Sequence, residues 1–172
     1  MNAVYMAVGA GFMIARAVSA QVDLGDVILG VQHGQIVTGS GVVGGVFQPT
    51  RVYAAEFGAV VPDSTDEPGF DCEPSTFPAS SSNGFRILDV LRRWDGQGFD
   101  IQAVPALEIG YVGQSVQTPS QPGVVEGLVL PVGSNGQWHR HFDYTLLSPA
   151  TPGVYLLTLS VFNTSPFFQE SE

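Results

Sequence analysis

The chain has 172 residues, 6 basic and 16 acidic, for a formal charge of −10, with 44% apolar and only 13% charged side chains. Charge this sparse beside ordinary apolar content excludes a disordered chain and a long solvated coiled coil, and leaves one packed domain punctuated by 21 Gly and 12 Pro. Every basic residue is an arginine (Arg16, Arg51, Arg86, Arg92, Arg93 and Arg140), and they form no basic stripe to meet phosphates, so nucleic acid is excluded as a partner.

The first element is an apolar run, Ala3–Ala15, followed by Arg16 and by small residues at Val18 and Ala20. This pattern predicts a signal peptide over residues 1–20 with cleavage before Gln21, although no Lys or Arg precedes the apolar run; a buried N-terminal helix is the alternative. A membrane span needs about 20 apolar residues, so no transmembrane span is expected once the leader is removed. Residues 21–172 then form a single exported domain. Cys72 is the only cysteine, which rules out an intrachain disulfide and fits a bacterial periplasmic or cell-surface protein. With no histidine or basic residue close in sequence to lower its pKa, Cys72 reads as a structural side chain.

Short runs rich in Val, Ile, Leu, Tyr and Phe then recur between turn signals: Asp26–Gln32, Gln35–Thr38, Arg51–Phe57, Gly84–Asp89, Ala106–Val112, Val124–Val132, Trp138–Leu147 and Gly153–Phe162. This spacing predicts an all-β, antiparallel β-sandwich of immunoglobulin-like character. One short helix is predicted over Ile87–Trp94, where Ile87, Leu88, Leu91 and Trp94 fall at helical spacing before Asp95-Gly96. Trp94 and Trp138 read as core residues rather than as exposed platforms for a glycan.

Residues 59–83 hold four prolines and five carboxylates (Asp63, Asp66, Glu67, Asp71 and Glu73) with little periodicity, which predicts a long acidic loop pinned by Phe70 and Phe77. The carboxylates could supply oxygens to calcium, but their spacing matches no EF-hand and also suits a solvated, turn-forming loop. Further on, Pro152-Gly153-Val154-Tyr155 places a tyrosine near the start of a strand, as in a tyrosine corner. A sandwich would carry one more strand after Phe162. Without it, an open sheet edge is expected, able to pair with a strand of another protein.

With these residues in view, the chain resembles a group of uncharacterised exported bacterial β-sandwich proteins, many of which carry a surface-sorting segment of the PEP-CTERM kind. The matching pieces are Gln35–Gly39, Arg51–Phe57, Thr65–Phe70, Gly84–Gly96, Ser134–Thr145 and Pro152–Leu159. The final strand and the sorting segment have no counterpart in Asn163–Glu172. More distantly, Trp138–Tyr144 with the Pro-Gly-x-Tyr strand is similar to His-containing domains of surface-anchored and zinc-linked periplasmic proteins, which implies metal binding as a property to test.

The residues themselves carry one sharp chemical feature, His139-x-His141. On a strand these imidazoles share a face about 6.5–7 Å apart along the backbone, within reach of one zinc ion at about 2.0–2.1 Å from each nitrogen. The remaining histidine, His33, ends the first strand, so His33, His139 and His141 form a candidate three-histidine zinc site, with Asp143 as a fourth ligand or an orienting partner. The plain alternative is a polar strand face that displays its histidines to water. No G-x-S-x-G elbow, P-loop or G-x-G-x-x-G is present, so no catalytic residue is assigned and a non-enzymatic structural or interaction module is expected, with periplasmic zinc binding as the second reading.

Overall fold

A computed structural model describes residues 2–8, 25–41 and 44–172. Residues 9–24, which hold most of the leader-like run and its cleavage motif, lie outside the described residues. The strands are β1 (Asn2–Val8), β2 (Val27–Gln32), β3 (Gln35–Ser40), β4 (Gln48–Pro49), β5 (Val52–Phe57), β6 (Ser64–Thr65), β7 (Phe70–Cys72) and β8 (Ser82–Ile87). They continue with β9 (Arg92–Arg93), β10 (Ile101–Gln102), β11 (Leu107–Tyr111), β12 (Gln114–Gln117), β13 (Val125–Pro131), β14 (Asp143–Leu146) and β15 (Val154–Asn163). Among the described residues there is no helix, and so none long and apolar enough to cross a membrane.

The described residues form three sheets, an all-β arrangement consistent with a β-sandwich. In the largest, β15 is flanked on one side by β8 and β9 and on the other by β1; β13 lies beyond β8, β10 beyond β9, and β5 beyond β1. The other two run β12-β11-β14-β6 and β4-β3-β2-β7. Among the described strands, pairings are antiparallel except β1 with β15 and β2 with β7, and Gln35 also bridges Gln169 in parallel. Tight hairpins follow from local chemistry: His33-Gly34 and Val112-Gly113 both take positive φ at the two turn positions, matching the right-handed twist of the strands they join.

The sheets share one core, to which the first contributes Phe85, Tyr155 and Leu157, the second Leu107, Ile109 and Leu146, and the third Val27, Leu29 and Phe70. Phe142 sits at their meeting point, its ring 6.0 Å from Phe70, 5.2 Å from Phe85, 5.7 Å from Tyr111 and 6.2 Å from Trp138. Tilted and edge-on contacts of this kind add about 0.5–1.5 kcal/mol each beyond area burial. Trp138 is fully buried.

The expected helix over Ile87–Trp94 is absent. Ile87 ends β8 opposite Leu159, Leu88 donates its N–H to the Thr158 carbonyl, and the chain resumes pairing at Arg92 and Arg93 opposite Leu156 and Tyr155. Four apolar residues at helical spacing also suit an interrupted strand, and the long ladder along β15 satisfies more backbone groups than two isolated helical turns. Asp89 closes the interruption by accepting from the Arg92 guanidinium at 2.7 Å. Trp94 rests on Phe99, ring centroids 5.1 Å apart, at the surface.

The acidic stretch is also more structured than a loop. It contributes β6 to the second sheet and β7 to the third, and Phe70 and Phe77 are buried.

Candidate metal centre

The site is assembled by strand register. An isolated bridge pairs Phe70 with Arg140, each donating its N–H to the other's carbonyl at 2.8 and 2.9 Å. Extending that antiparallel register one residue each way sets Gly69 opposite His141 and Asp71 opposite His139. On the other side of β7, β2 runs parallel with Val27 beside Phe70, which brings Asp26 alongside Gly69. Asp26, Gly69 and His141 therefore form one row across three adjacent chain segments, and Asp71 and His139 belong to the next row on the same face.

Gly69 is what lets the outer members of the first row meet. A Cβ at this position would lie 2.7 Å from Asp26 Oδ1 and 2.7–2.8 Å from His141 Cε1 and Nε2. The space that a side chain would fill is taken instead by a carboxylate and an imidazole reaching toward each other.

Asp26 stands between the two rings: Oδ1 is 3.7 Å from His141 Nε2 and Oδ2 is 3.8 Å from His139 Nδ1. One ligand atom from each of Asp26, His139 and His141 can be chosen so that all lie within 4.8 Å of one another. Bonds of about 2.0–2.1 Å at tetrahedral angles put ligand atoms about 3.4 Å apart, so a small inward movement closes the three around one ion. Imidazole nitrogens with a carboxylate suit zinc or another late transition metal better than calcium or magnesium, which take oxygen ligands.

Outer partners hold the rings in place. His141 Nδ1 lies 3.2 Å from the Asp66 carbonyl, which fixes its proton there and frees Nε2 toward Asp26. His139 Nδ1 lies 3.0 Å from Asp71 Oδ2, and Asp71 Oδ1 accepts from Gln137 Nε2 at 3.0 Å and from the Cys72 N–H at 2.7 Å. Glu67 Oε1 is 3.9 Å from His141 Nδ1, so three carboxylates surround two imidazoles and favour a dication. Behind them, Tyr144 Oη donates to the Pro68 carbonyl at 3.2 Å. Burial first, then the charges of Glu67 and Asp26, push this phenol well above its ordinary value and keep it a donor. The Cys72 thiol, buried and receiving the Trp138 N–H at 3.1 Å, is also pushed up, chiefly by burial.

The sequence-predicted residues divide. His139 and His141 come together, ring centroids 5.1 Å apart. His33 does not join them: it occupies the β2–β3 turn at the far end of β2 from Asp26, about 20 Å away at about 3.3 Å per residue. Asp143 is exposed on β14 and pairs with Gly110 in the second sheet, because the chain leaves β7 between Arg140 and Asp143. Asp26 has no signal in the sequence as a ligand, since only the pairing of β2 with β7 brings it in; Asp71, a calcium candidate in the acidic stretch, reaches His139 through the bridge of Phe70 with Arg140.

No protein-family model, no curated protein and no solved structure matches the chain. What defines it is an all-β fold with a histidine–carboxylate cluster gathered around β7, where β2 on one side and the bridged His139–His141 segment on the other bring Asp26 to the two imidazoles.

Proposed function

We propose that the protein is an exported, non-enzymatic β-sandwich module of the bacterial periplasm or cell surface, immunoglobulin-like in character, that binds a zinc-class cation through Asp26, His139 and His141. The observation that carries the metal reading is the open row over Gly69, in which a carboxylate faces both imidazoles at 3.7–3.8 Å. The Asp66 carbonyl orients His141, while His139 Nδ1 is shared between Asp26 and Asp71, so an ion bound there would take the place of a proton at that nitrogen. The immunoglobulin-like reading is supported by Tyr155, which is buried and whose hydroxyl donates back to the Thr151 carbonyl four residues upstream. Export and relatedness to PEP-CTERM-type surface proteins rest on the leader-like run and the short motifs quoted above.

The test is calorimetric zinc titration of the full chain beside four variants. One-to-one binding is expected, lost in His139→Ala/His141→Ala, weakened in Asp26→Asn, and unchanged in His33→Ala and Asp143→Asn. Absence of binding, or dependence on His33, overturns the assignment.

A further inference from the structure

The residues that read as a leader also fill a slot in the largest sheet. β1 lies between β15 and β5, parallel to the first and antiparallel to the second, with six residues in register on each side. Positions 4, 6 and 8 fall opposite the buried Tyr155, Leu157 and Leu159, and Met6 is itself 2% exposed within the core. If residues 1–20 are removed on export, this strand goes with them. Two ladder faces about 9.6 Å apart, twice the strand spacing, are then left unpaired over a socket the size of a methionine side chain.

We propose that the slot between β5 and β15 is a strand-acceptor site, occupied in the exported protein by an extended segment of a partner protein running parallel to β15 with an apolar side chain in the Met6 socket. This rests on the export reading for the removal of β1. The seated β1 gives the occupant's dimensions: six to seven residues, extended, with apolar residues at alternate positions. Main-chain hydrogen bonds to both flanking strands supply affinity, and the socket supplies selectivity. The partner is a different chain rather than a second copy, because loss of Arg16 with the leader takes the exported chain's formal charge from −10 to −11, which repels its like. Glu56, exposed on β5 opposite position 3, favours a neutral or basic segment.

The test uses the full chain with a protease site inserted between residues 9 and 24. After cleavage of the folded protein, the N-terminal fragment is expected to stay bound on gel filtration. Excess fluorescent Asn2–Val8 peptide should displace it, while the same peptide with Met6→Asp competes more than about tenfold less well. If the cut body unfolds when the fragment leaves, refolding is repeated with the peptide present, and recovery only with the wild-type peptide supports the site. Equal competition by both peptides, no exchange, or no recovery overturns it, and a cut body that dimerises replaces the partner strand with a second copy. The mass of the exported protein tests the export reading separately: retention of Met1–Val8 means the slot is never vacated, even where exchange succeeds.

Discussion

Replacing Gly69 by alanine isolates the geometry of the candidate metal centre from its proposed ligands, because none of their atoms is removed. The added methyl would sit 2.7 Å from Asp26 Oδ1 and 2.7–2.8 Å from two atoms of the His141 ring, distances that force one of them aside. Gly69 does not hold a positive φ, so alanine brings no backbone strain and the effect is one of displacement. Overpacking of this kind costs about 1–3 kcal/mol of stability. Displacing a carboxylate or an imidazole from its aim typically weakens metal binding by about 10- to 100-fold, or about 1.4–2.7 kcal/mol. The assay is zinc calorimetry on folded Gly69→Ala, with circular dichroism to confirm the fold. Gly110→Ala is the control, since its nearest neighbour to a new Cβ is 3.7 Å away. Unchanged zinc affinity in folded Gly69→Ala would refute the row of Asp26, Gly69 and His141 as the site.

Tyr155→Phe deletes the hydroxyl that bonds the Thr151 carbonyl and leaves the ring, so stability should fall by about 1 kcal/mol and the melting temperature by about 2–4 °C, read by thermal unfolding. Cys72 should resist thiol reagents in the native protein at pH 8 and react fully in guanidinium, because it is buried and its thiol is pushed up. The unfolded thiol ionises near pH 8.5 while the folded one stays protonated, so the thiol's share of stability is intact below that pH and is lost as pH rises toward the folded value. Cys72→Ala should flatten this alkaline loss in denaturant titrations.

Eight strands (β2, β3, β5, β8, β11, β13, β14 and β15) were legible because β-branched and aromatic runs stood between glycine and proline turns, and their ends agree within a few residues apart from β14, which starts at Asp143, whereas the seven-residue β1 reads in the sequence as part of a leader. Two-residue strands such as β6, β9 and β10 carry no periodicity of their own and exist only through partners elsewhere in the chain. Ile87–Trp94 misled because spacing alone does not separate a short helix from a strand that bulges past its neighbour. At the site, alternation put His139 and His141 on one face correctly, and the same alternation proposed Asp143. It failed there because the chain changes sheets around Phe142, a step written in the core packing and not in the local pattern. Asp26 was invisible as a ligand because its place depends on a parallel pairing between segments more than forty residues apart, and Asp71, legible only as a calcium candidate, meets His139 through the distant Phe70–Arg140 bridge.

That long-range assembly has a consequence for how the protein is handled. No isolated hairpin holds the Asp26 row, so the proposed cation affinity would belong to the completed tertiary structure alone. An ion that recognises only the native state at one hundred times its dissociation constant adds about 2.7 kcal/mol to that state. Chelator sensitivity of the melting curve would therefore serve as a gauge of whether a preparation has joined β2 to β7, independent of any spectroscopic measure of strand content.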